Sequence, residues 1–344
     1  MTTTITELRG DGIGPELAES IQAVADALPI DLAFEPVDWS LERRETEGDT
    51  PIDEAEASMR RTKLALKYPT VTQTRSPNAL IRRRIGFSVI YRPAISIKGI
   101  SSNFKENVNL HIVRIATGGT YDDPGQLVGR NAAVSLRMVE REPCEQAAKF
   151  AFELARKKGF TMTSSSKHTI QRITDGLFES VVEDVHRQGY QDVPHRVELF
   201  DALLAKIILK PQDFAVILVL NEYGDFLSDM ASGLVGSLGT GASGNFSFRD
   251  DHEVDVAMFD PAGGTAPDIA GRNKCNPSAI FLAFGMLLDH IDRYDLGHAL
   301  RLSLLGAIED GETTADLGGR LSRSEFTRVV IDRLPEHLPA DRTR

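Results

Sequence analysis

The feature that most restricts the fold is an apolar run followed directly by a dense polar segment. Ala215 to Leu220 are apolar and partly β-branched, and the polar segment Asn221 to Gly233 begins at the next residue. A short apolar run between polar flanks predicts a buried strand, and we expect a helix after it. Alternation of strands and helices is typical of an α/β protein with an at least partly parallel sheet.

Other segments indicate the same class. Ile5 to Leu8 predicts a short strand, which a glycine-rich turn joins to a helix with Pro15 in its first turn. Cys144 to Lys158 has apolar residues at helical spacing and basic residues at its end, which predicts an amphipathic helix. Ile207 to Leu209 is a second apolar run near Ala215 to Leu220, and at least one of the two is expected to be a buried strand. A chain of 344 residues also exceeds the usual size of one hydrophobic core, so we expect two domains.

Charge and composition restrict the partners. The net charge is -11, which argues against nucleic acid and against an anionic membrane surface. No window approaches the roughly 20 apolar residues of a membrane span, and the N-terminus lacks the features of a signal peptide. The two cysteines, Cys144 and Cys275, are far apart in the chain, which suits a reducing compartment. We therefore predict a cytoplasmic protein, in which an anionic substrate would need a locally basic pocket.

Asp225 and Asp229 are candidate metal ligands. If a helix begins near Asp225, the two residues are i,i+4 neighbours with Cβ atoms about 5 to 6 Å apart. Converging carboxylates repel each other unless a hard cation lies between them, and Mg²⁺ or Mn²⁺ is the natural choice. The alternative is that Asp225 caps the helix and Asp229 is solvated.

Three arginines form a candidate acid-binding set. Guanidinium groups bind carboxylates in bidentate fashion, so Arg82, Arg92 and Arg114 are suited to hold a di- or tricarboxylate. Ser76 and Asn78 would add neutral donors. Each arginine taken alone is also compatible with a surface role.

Tyr121 and Lys167 are candidate acid–base residues. Their ordinary pKa values, about 10 and about 10.4, suit proton transfer near neutrality only if burial or a nearby cation shifts them. A metal beside them would provide that condition. Taken alone, each is equally compatible with a packing or surface position.

A glycine-containing segment, Asp260 to Gly271, predicts a loop whose backbone N–H groups can approach a phosphate. The turn after the first strand, Gly10 to Pro15, has the wrong spacing for the Gly-x-Gly-x-x-Gly fingerprint. The sequence therefore does not favour a Rossmann site.

In this order, the motifs resemble the isocitrate and isopropylmalate dehydrogenase family of β-decarboxylating dehydrogenases, from Leu8 to about Gly319. The matching segments are the Gly-Asp-Gly-Ile-Gly-Pro-Glu opening at Gly10 to Glu16, the substrate helix with Ser76, Asn78 and Arg82, Arg92-Pro93, Arg114 to Tyr121, Lys167 to Gly176, Asp201 to Leu204, Asn221 to Gly239, and Gly264 to Gly271 with Asn276-Pro277.

The resemblance implies an isopropylmalate dehydrogenase-like α/β fold with a mixed parallel and antiparallel sheet. It implies a large cofactor-binding domain from residues 1–90 and 237–344 and a small domain from 91–236, which carries the dimer interface and a clasp-like segment near 122–165. It also implies a homodimer with shared active sites, in which Lys167 and Asp201 serve the neighbouring subunit.

Family roles then follow by position. Asp225 and Asp229, with the neighbour's Asp201, would hold Mg²⁺ or Mn²⁺, while Lys167 and Tyr121 would transfer protons. The substrate-binding residues would be Ser76, Asn78, Arg82, Arg92 and Arg114. The residues implied for cofactor binding are Asp260, Gly263, Gly264, Thr265, Ala266, Asp268, Ile269 and Asn276.

Several positions depart from the family pattern, mainly around the cofactor. Ala116, Gly118, Thr169 and Gly263 replace residues that the family uses, an amide, an acid, an asparagine and a histidine respectively. Asp268-Ile269 replaces the Lys-Tyr pair of NADP-using relatives, and a carboxylate near a ribose repels a 2'-phosphate. We therefore expect NAD as the cofactor.

The resemblance implies oxidative decarboxylation of a 3-substituted malate with NAD and a divalent metal. Ser76 and Asn78 are the isocitrate-type residues, which favours a polar or anionic third substituent, as in isocitrate. Homoisocitrate, isopropylmalate and phosphonomethylmalate are the alternative substrates. The alternative of another class is a non-catalytic regulatory subunit of a hetero-oligomeric dehydrogenase.

Overall fold

The computed structural model describes residues 2–73, 75–100, 107–236 and 241–339. The strands in these ranges are β1 (Thr3–Arg9), β2 (Leu32–Asp38), β3 (Leu64–Lys67), β4 (Val89–Ile95), β5 (Asn109–Ile115), β6 (Gln126–Val128), β7 (Ala132–Val134), β8 (Met162–Ser166), β9 (His195–Leu199), β10 (Val216–Val219), β11 (Ala242–Phe248) and β12 (Val254–Pro261). The α-helices are α1 (Gly14–Ala27), α2 (Leu41–Thr46), α3 (Thr50–Thr62), α4 (Pro77–Ile85), α5 (Arg141–Lys158), α6 (Thr174–Gly189), α7 (Phe200–Leu209), α8 (Asn221–Leu234), α9 (Ser278–His290), α10 (Tyr294–Glu309) and α11 (Arg323–His337).

Ten of the described strands form one mixed sheet, in the order β2-β1-β3-β12-β11-β4-β5-β10-β8-β9. The strands β2, β1, β3 and β12 are parallel to one another, and so are β5, β10, β8 and β9. Between these halves, β11 and β4 are antiparallel to each other and to their other neighbours. The predicted α/β fold with a mixed sheet is confirmed.

Helices cover both faces of this sheet. Alternate residues of a strand point to opposite faces, so a central strand contributes to the hydrophobic cluster on each side. In β10, Val216 and Leu218 join the largest hydrophobic cluster, while Ile217 and Val219 join a second one with α7 and α8. The strand is fully buried, as its apolar run predicts. No helix in the described part of the chain is both long and apolar enough to cross a membrane.

Several predicted elements are confirmed, and one boundary is wrong. The Ile5 strand is β1, the Cys144 to Lys158 helix is α5, and of the two apolar runs Ala215 to Leu220 contains the strand whereas Ile207 to Leu209 ends α7. The helix expected to begin near Asp225 begins at Asn221. Because the helix begins at Asn221, Asp225 lies in its second turn and is not a capping residue. The N-cap position is occupied by Leu220, which makes no side-chain cap.

The predicted division into two domains stays a prediction. The sheet is continuous, and β4 crosses the expected boundary at residue 90 while pairing with both β11 and β5. The segment near 122–165 contains the hairpin of β6 and β7, whose six strand residues are all exposed and which lies outside the main sheet.

Candidate active site

Asp225 is the centre of a polar cluster on the exposed side of α8. Its Oδ1 atom accepts hydrogen bonds from Arg114 and, at 3.4 Å, from Arg92. Its Oδ2 atom accepts the hydroxyl proton of Tyr121 at 3.1 Å. The structure therefore brings together two predicted substrate-binding arginines, one predicted acid and one predicted metal ligand.

Arg114 is the second-last residue of strand β5 and extends from there to the cluster. Its side chain is 4% exposed, and its Nε atom donates to Asn221 at 2.9 Å. A Cβ atom at Gly224 would lie 2.6 Å from Arg114 Cβ and Cγ, so only glycine leaves room for the guanidinium arm. The glycine that precedes Asp225 thus allows α8 to pack directly on Arg114.

Arg92 lies between the two carboxylates of α8. Its Nη1 atom donates to Ser228 at 2.7 Å and is 3.9 Å from Asp229 Oδ1. Asp229 is largely exposed, with 76% of its side chain accessible. Both carboxylates therefore face one positive group from the same side of the helix.

Tyr121 is brought to Asp225 by a turn built on two consecutive glycines. Gly118 and Gly119 have φ values of 69° and 70°, in the left-handed region that glycine adopts without strain. The Asn221 amide donates to the Gly118 carbonyl at 3.0 Å, and Gly119 pairs with Met138 through two backbone hydrogen bonds. The turn is thereby held by both α8 and the segment after the hairpin.

The electrostatics of the cluster favour an ionised Asp225. Burial alone would raise its pKa, but Arg114 and Arg92 outweigh this and hold the pKa below its ordinary value. Burial and the neighbouring Arg92 lower the pKa of Arg114 to about 10. Burial and Asp225 raise the pKa of Tyr121, so its hydroxyl keeps its proton near neutrality.

The predicted substrate helix α4 brings Arg82 near the Asp225 cluster. Ser76 caps it by accepting from the Ala79 amide at 3.3 Å, and Asn78 has a buried Oδ1 atom without a protein partner. Arg82 donates to Asn245 at 3.2 Å. Its guanidinium group also interacts electrostatically with Asp260, Arg92 and Asp225. Of the three residues, Arg82 is therefore the one tied to the arginine cluster, while Ser76 acts as a helix cap.

Asp260, a predicted cofactor residue, is buried at the end of β12. It accepts hydrogen bonds from Ser243 and, at 3.1 Å, from Asn245, and its Oδ2 atom is 3.6 Å from the ammonium group of Lys67. Lys67 is 2% exposed, and burial lowers its pKa. The network connects the start of the predicted cofactor loop with Arg82.

Lys167 and Asp201 lie apart from the Asp225 cluster. They follow the parallel strands β8 and β9, and Lys167 Nζ donates to Asp201 Oδ1 at 2.5 Å. This bond lowers the pKa of Asp201, whose side chain is 67% exposed. Among the described contacts of one chain, none joins this pair to Asp225 or Asp229.

The predicted cofactor loop is held by the N-terminal motif. The Ile13 amide donates to the Thr265 carbonyl at 3.0 Å, and a side chain at Gly12 would overlap that carbonyl. Glu16 accepts the backbone N–H groups of Gly271 and Asn273, each at 2.7 Å. The N-terminal motif from Gly10 to Glu16 is therefore hydrogen-bonded to the predicted cofactor loop at two points along it.

The remaining loop residues differ in exposure. Gly263 and Gly264 have open space where a side chain would be, and Ala266 has a φ of 39°. Asp268 is exposed, whereas Ile269 packs against the large hydrophobic cluster. The amide group of Asn276 donates to Asp316 at 2.8 Å.

The donor chemistry of α8 fits a hard divalent cation. Asp225 and Asp229 present carboxylate oxygens on one helix face, and both already face the positive charge of Arg92. Among the described residues of a single chain, no three His, Cys, Asp or Glu side chains are grouped so as to hold a metal ion. A complete coordination shell therefore needs ligands from outside this cluster.

Sequence reasoning missed the residues that hold the arginines. Asn221, Asp225, Ser228 and Asp229 follow the i, i+4, i+7, i+8 spacing of one helix face, so the spacing alone would have identified Asn221 and Ser228. No comparable local signal exists for Lys67, because its partner Asp260 is far away in the chain.

The fold and the site define an α/β protein in which arginines from two strands meet two carboxylates on one helix face, and comparison with known proteins identifies the family. The isocitrate/isopropylmalate dehydrogenase family model matches residues 4–333, and the chain belongs to this family. It is 35% identical to subunit 2 of the mitochondrial NAD isocitrate dehydrogenase of Kluyveromyces lactis, over 96% of this chain and 90% of that protein. It is 32% identical to subunit alpha of the human mitochondrial NAD isocitrate dehydrogenase, over 97% and 91%.

Solved structures agree with this assignment. The crystal structure of isocitrate dehydrogenase from Methylococcus capsulatus superimposes with a TM-score of 0.85 and 30% sequence identity, covering 96% of this chain and 99% of that one. The predicted isopropylmalate dehydrogenase-like fold class is therefore confirmed.

The comparisons correct the predicted cytoplasmic location. The similar proteins from Kluyveromyces lactis, Saccharomyces cerevisiae, Schizosaccharomyces pombe and rat are mitochondrial subunits, so the prediction is wrong. The prediction depended on the wide spacing of the two cysteines and on a search for signal-peptide and membrane-span patterns, and these features do not distinguish a cytoplasmic from a mitochondrial protein.

Proposed function

We propose that the protein catalyses the NAD-dependent and divalent-metal-dependent oxidative decarboxylation of isocitrate or a closely related 3-substituted malate. In this reaction the substrate's hydroxyl-bearing carbon loses hydride to NAD and its hydroxyl loses a proton, which forms a ketone. The carboxylate on the adjacent carbon then leaves as carbon dioxide, and that carbon gains a proton in its place. The observation that carries the proposal is the convergence of Arg92, Arg114 and Tyr121 on Asp225.

The charge distribution supports a polycarboxylate substrate. Arg82, Arg92 and Arg114 lie close enough together to interact electrostatically, in a chain whose net charge is -11. Arg92 Nε, a hydrogen-bond donor, is buried without a partner among the described residues. Because an unpartnered buried donor is costly, a substrate carboxylate that accepts from Arg92 Nε would be bound favourably at this position.

Asp225 and Asp229, with Asp201 of the partner subunit, would hold the metal. The bound cation would supply positive charge that stabilises negative charge developing on the substrate oxygens. Arg92 and Arg114 would orient the substrate carboxylates through bidentate hydrogen bonds. Within one chain, these arginines neutralise Asp225 in advance of the ligand.

Two residues would move protons. Lys167 would take the proton from the substrate hydroxyl during oxidation, and Tyr121 would give a proton to the carbon from which carbon dioxide departs. A raised pKa keeps Tyr121 protonated and so suited to act as an acid. Its ring is 47% exposed, so a ligand in the cleft can reach the hydroxyl.

The separation of Lys167 and Asp201 from Asp225 supports a dimer with shared active sites. A two-stranded hairpin is at best marginally stable in isolation, and the β6–β7 hairpin exposes Leu127 by 81% and Val128 by 55%. We propose that this hairpin packs against a second copy of the chain. That copy would then supply Lys167 and Asp201 to the first chain's cleft.

NAD is the proposed cofactor. Asp268 is exposed on the predicted cofactor loop, where its carboxylate is suited to accept from a ribose 2'-hydroxyl and to repel a 2'-phosphate. Two of the relatives that it resembles, from Kluyveromyces lactis and human, are named as NAD enzymes, which supports the same choice.

The test is a substrate panel with purified protein. We expect NADH formation and carbon dioxide release with NAD, Mn²⁺ and isocitrate, and lower catalytic efficiency with NADP. Homoisocitrate, isopropylmalate and phosphonomethylmalate complete the panel and decide the third substituent. A clear NADP preference would refute the cofactor assignment.

One observation favours a second candidate. The relatives are named as individual subunits, subunit 2 and subunit alpha, so this chain is also compatible with a role as one subunit of a larger dehydrogenase. If the isolated chain turns over no compound of the panel, while it raises the activity of a co-purified second subunit, the regulatory role replaces the catalytic one.

A further inference from the structure

A buried ion cluster outside the proposed reaction centre is formed by Arg137, Asp175 and Glu222. Arg137 follows the β6–β7 hairpin, Asp175 lies in the first turn of α6, and Glu222 lies in the first turn of α8. One guanidinium nitrogen donates to Glu222 Oε1 and the other to Asp175 Oδ1 at 3.0 Å. Asp175 is fully buried and Glu222 is 4% exposed. A single arginine therefore joins three separate parts of the chain.

The Glu222 arm of this cluster leads to the Tyr121 turn. Glu222 Oε2 has no hydrogen-bond partner within the described part of the chain and lies against Gly119, where any side chain would overlap it. Met138, the residue after Arg137, pairs with Gly119 through hydrogen bonds of 2.7 and 3.1 Å. Arg137 is therefore linked to the Tyr121 turn in two ways. Its side chain binds Glu222, which contacts Gly119, and the next residue, Met138, is hydrogen-bonded to Gly119 through the backbone.

The Asp175 arm leads to the Lys167 segment. Asp175 Oδ2 accepts the backbone N–H of Lys167 at 2.8 Å and the hydroxyl of Tyr223 at 3.3 Å. The Tyr223 ring stacks on Phe200, the residue before Asp201, with 4.4 Å between the ring centres. Arg137 itself lies over the Tyr223 ring, 5.0 Å from its centre. The second arm therefore holds the backbone from which Lys167 and Asp201 extend.

We propose that Arg137 is a positioning residue for the reaction, because it locks the Tyr121 turn and the Lys167 segment into one rigid unit through Glu222 and Asp175. The proposal rests on the proposed function for the roles of Tyr121 and Lys167. In the proposed dimer these two residues of one chain serve two different active sites, so Arg137 lies on the connection between them.

The arrangement is electrostatically demanding. Two buried carboxylates share one guanidinium whose side chain is 15% exposed, and removing that guanidinium leaves both acids without their main compensating charge. The carboxylates of Glu222 and Asp175 must then be hydrated or move apart. Because a misplacement of about 1 Å can lower turnover about 100-fold, loosening either arm affects proton transfer more than substrate affinity.

The first test needs no substrate. Hydrogen–deuterium exchange of the full-length Arg137→Met variant should speed deuteration in two separate segments, residues 117–122 and 167–175. Glu222→Gln, which keeps the shape of the side chain, should loosen mainly the first segment, and Asp175→Asn mainly the second. Arg187→Met, which removes an exposed arginine from the same helix as Asp175, is the matched control and should change neither.

The second test measures catalysis with isocitrate deuterated at the hydroxyl-bearing carbon. Arg137→Met should lower kcat by at least about tenfold and change KM by less than about threefold. It should also increase the deuterium isotope effect on kcat, because the misaligned chemical step becomes slower than product release. A variant that only unfolds in part would lose active molecules and keep the wild-type isotope effect.

The outcomes separate the two proposals. Unchanged exchange in either segment of Arg137→Met overturns the positioning role, and so does faster exchange with wild-type kcat and isotope effect. If Arg137→Met does not fold, the divergent exchange patterns of Glu222→Gln and Asp175→Asn carry the test, and identical patterns overturn the proposal. A third outcome is that Arg137→Met speeds exchange in both segments while the wild-type protein oxidises no malate of the panel. That result would support the rigid unit and refute the proposed function.

Discussion

Gly224→Ala should destabilise the protein although alanine is the better helix former. The added Cβ would lie 2.6 Å from Arg114 Cβ and Cγ and 3.0 Å from its Cδ. Ordinary carbon–carbon contacts are about 3.5 to 4.0 Å, so a gap of about 1 Å must open. Arg114 cannot simply turn away, because its side chain is 4% exposed and is hydrogen-bonded to Asn221 and Asp225.

Two opposing effects decide the sign. Replacing glycine by alanine within a helix contributes about 0.5 to 1 kcal/mol of stability. Overpacking a dense interior costs about 1 to 3 kcal/mol. The variant should therefore lose about 0.5 to 2 kcal/mol of unfolding free energy, and displacement of Arg114 should raise KM for the acidic substrate.

The same helix offers a matched control. Gly233 is exposed and has no described residue within 4 Å of the position of its Cβ, so Gly233→Ala should stabilise the protein by up to about 1 kcal/mol. Urea denaturation of both variants at one protein concentration measures the difference. If Gly224→Ala is as stable as Gly233→Ala, the assignment of Gly224 to a steric role is wrong.

Further predictions concern the same cluster. Tyr121→Phe and Lys167→Ala should each lower kcat at least about 100-fold without dissociating the proposed dimer, as steady-state kinetics and gel filtration would reveal; near-normal turnover would remove either residue from the mechanism. Asp229→Asn should change the unfolding free energy by less than about 0.5 kcal/mol because the side chain is largely exposed, yet weaken Mn²⁺ binding in calorimetry at least tenfold. The lowered pKa of Asp225 means that its ionised form stabilises the fold above its unfolded pKa of about 3.9, and that this contribution is lost as pH falls through the lower folded pKa. The stability difference between wild type and Asp225→Asn should therefore shrink below about pH 4, and a difference that grows on acidification would contradict the sign.

Elements with a strong hydrophobic pattern were predictable from the sequence. The apolar run at Val216–Val219 is a strand and Cys144 to Lys158 lies in a helix, as expected. The strand Met162–Ser166 has no such signal, because four of its five residues are hydroxyl-bearing, yet all five are buried. Two of its hydroxyl groups have a partner in a later helix, since Ser164 and Ser166 each donate to Glu179 at 2.6 Å.

The candidate site was predictable where a local spacing carried it. The four-residue interval between Asp225 and Asp229 placed both carboxylates on one helix face. The contacts of Arg137 were not predictable, because its two partners lie 38 and 85 residues away and a single arginine has no pattern of its own. Such contacts depend on the order of strands in the sheet, which local periodicity does not encode.

The most direct test of the account is complementation between two inactive variants. In the proposed dimer, Asp225 of one chain and Lys167 of the other belong to the same active site. Hybrid dimers formed from Lys167→Ala and Asp225→Asn chains would then contain one intact site and one doubly defective site. We predict that co-expressed and doubly tagged hybrids recover up to about half of the wild-type turnover, while each parent dimer stays inactive. Hybrids as inactive as their parents, at normal dimer yield, would contradict a shared active site.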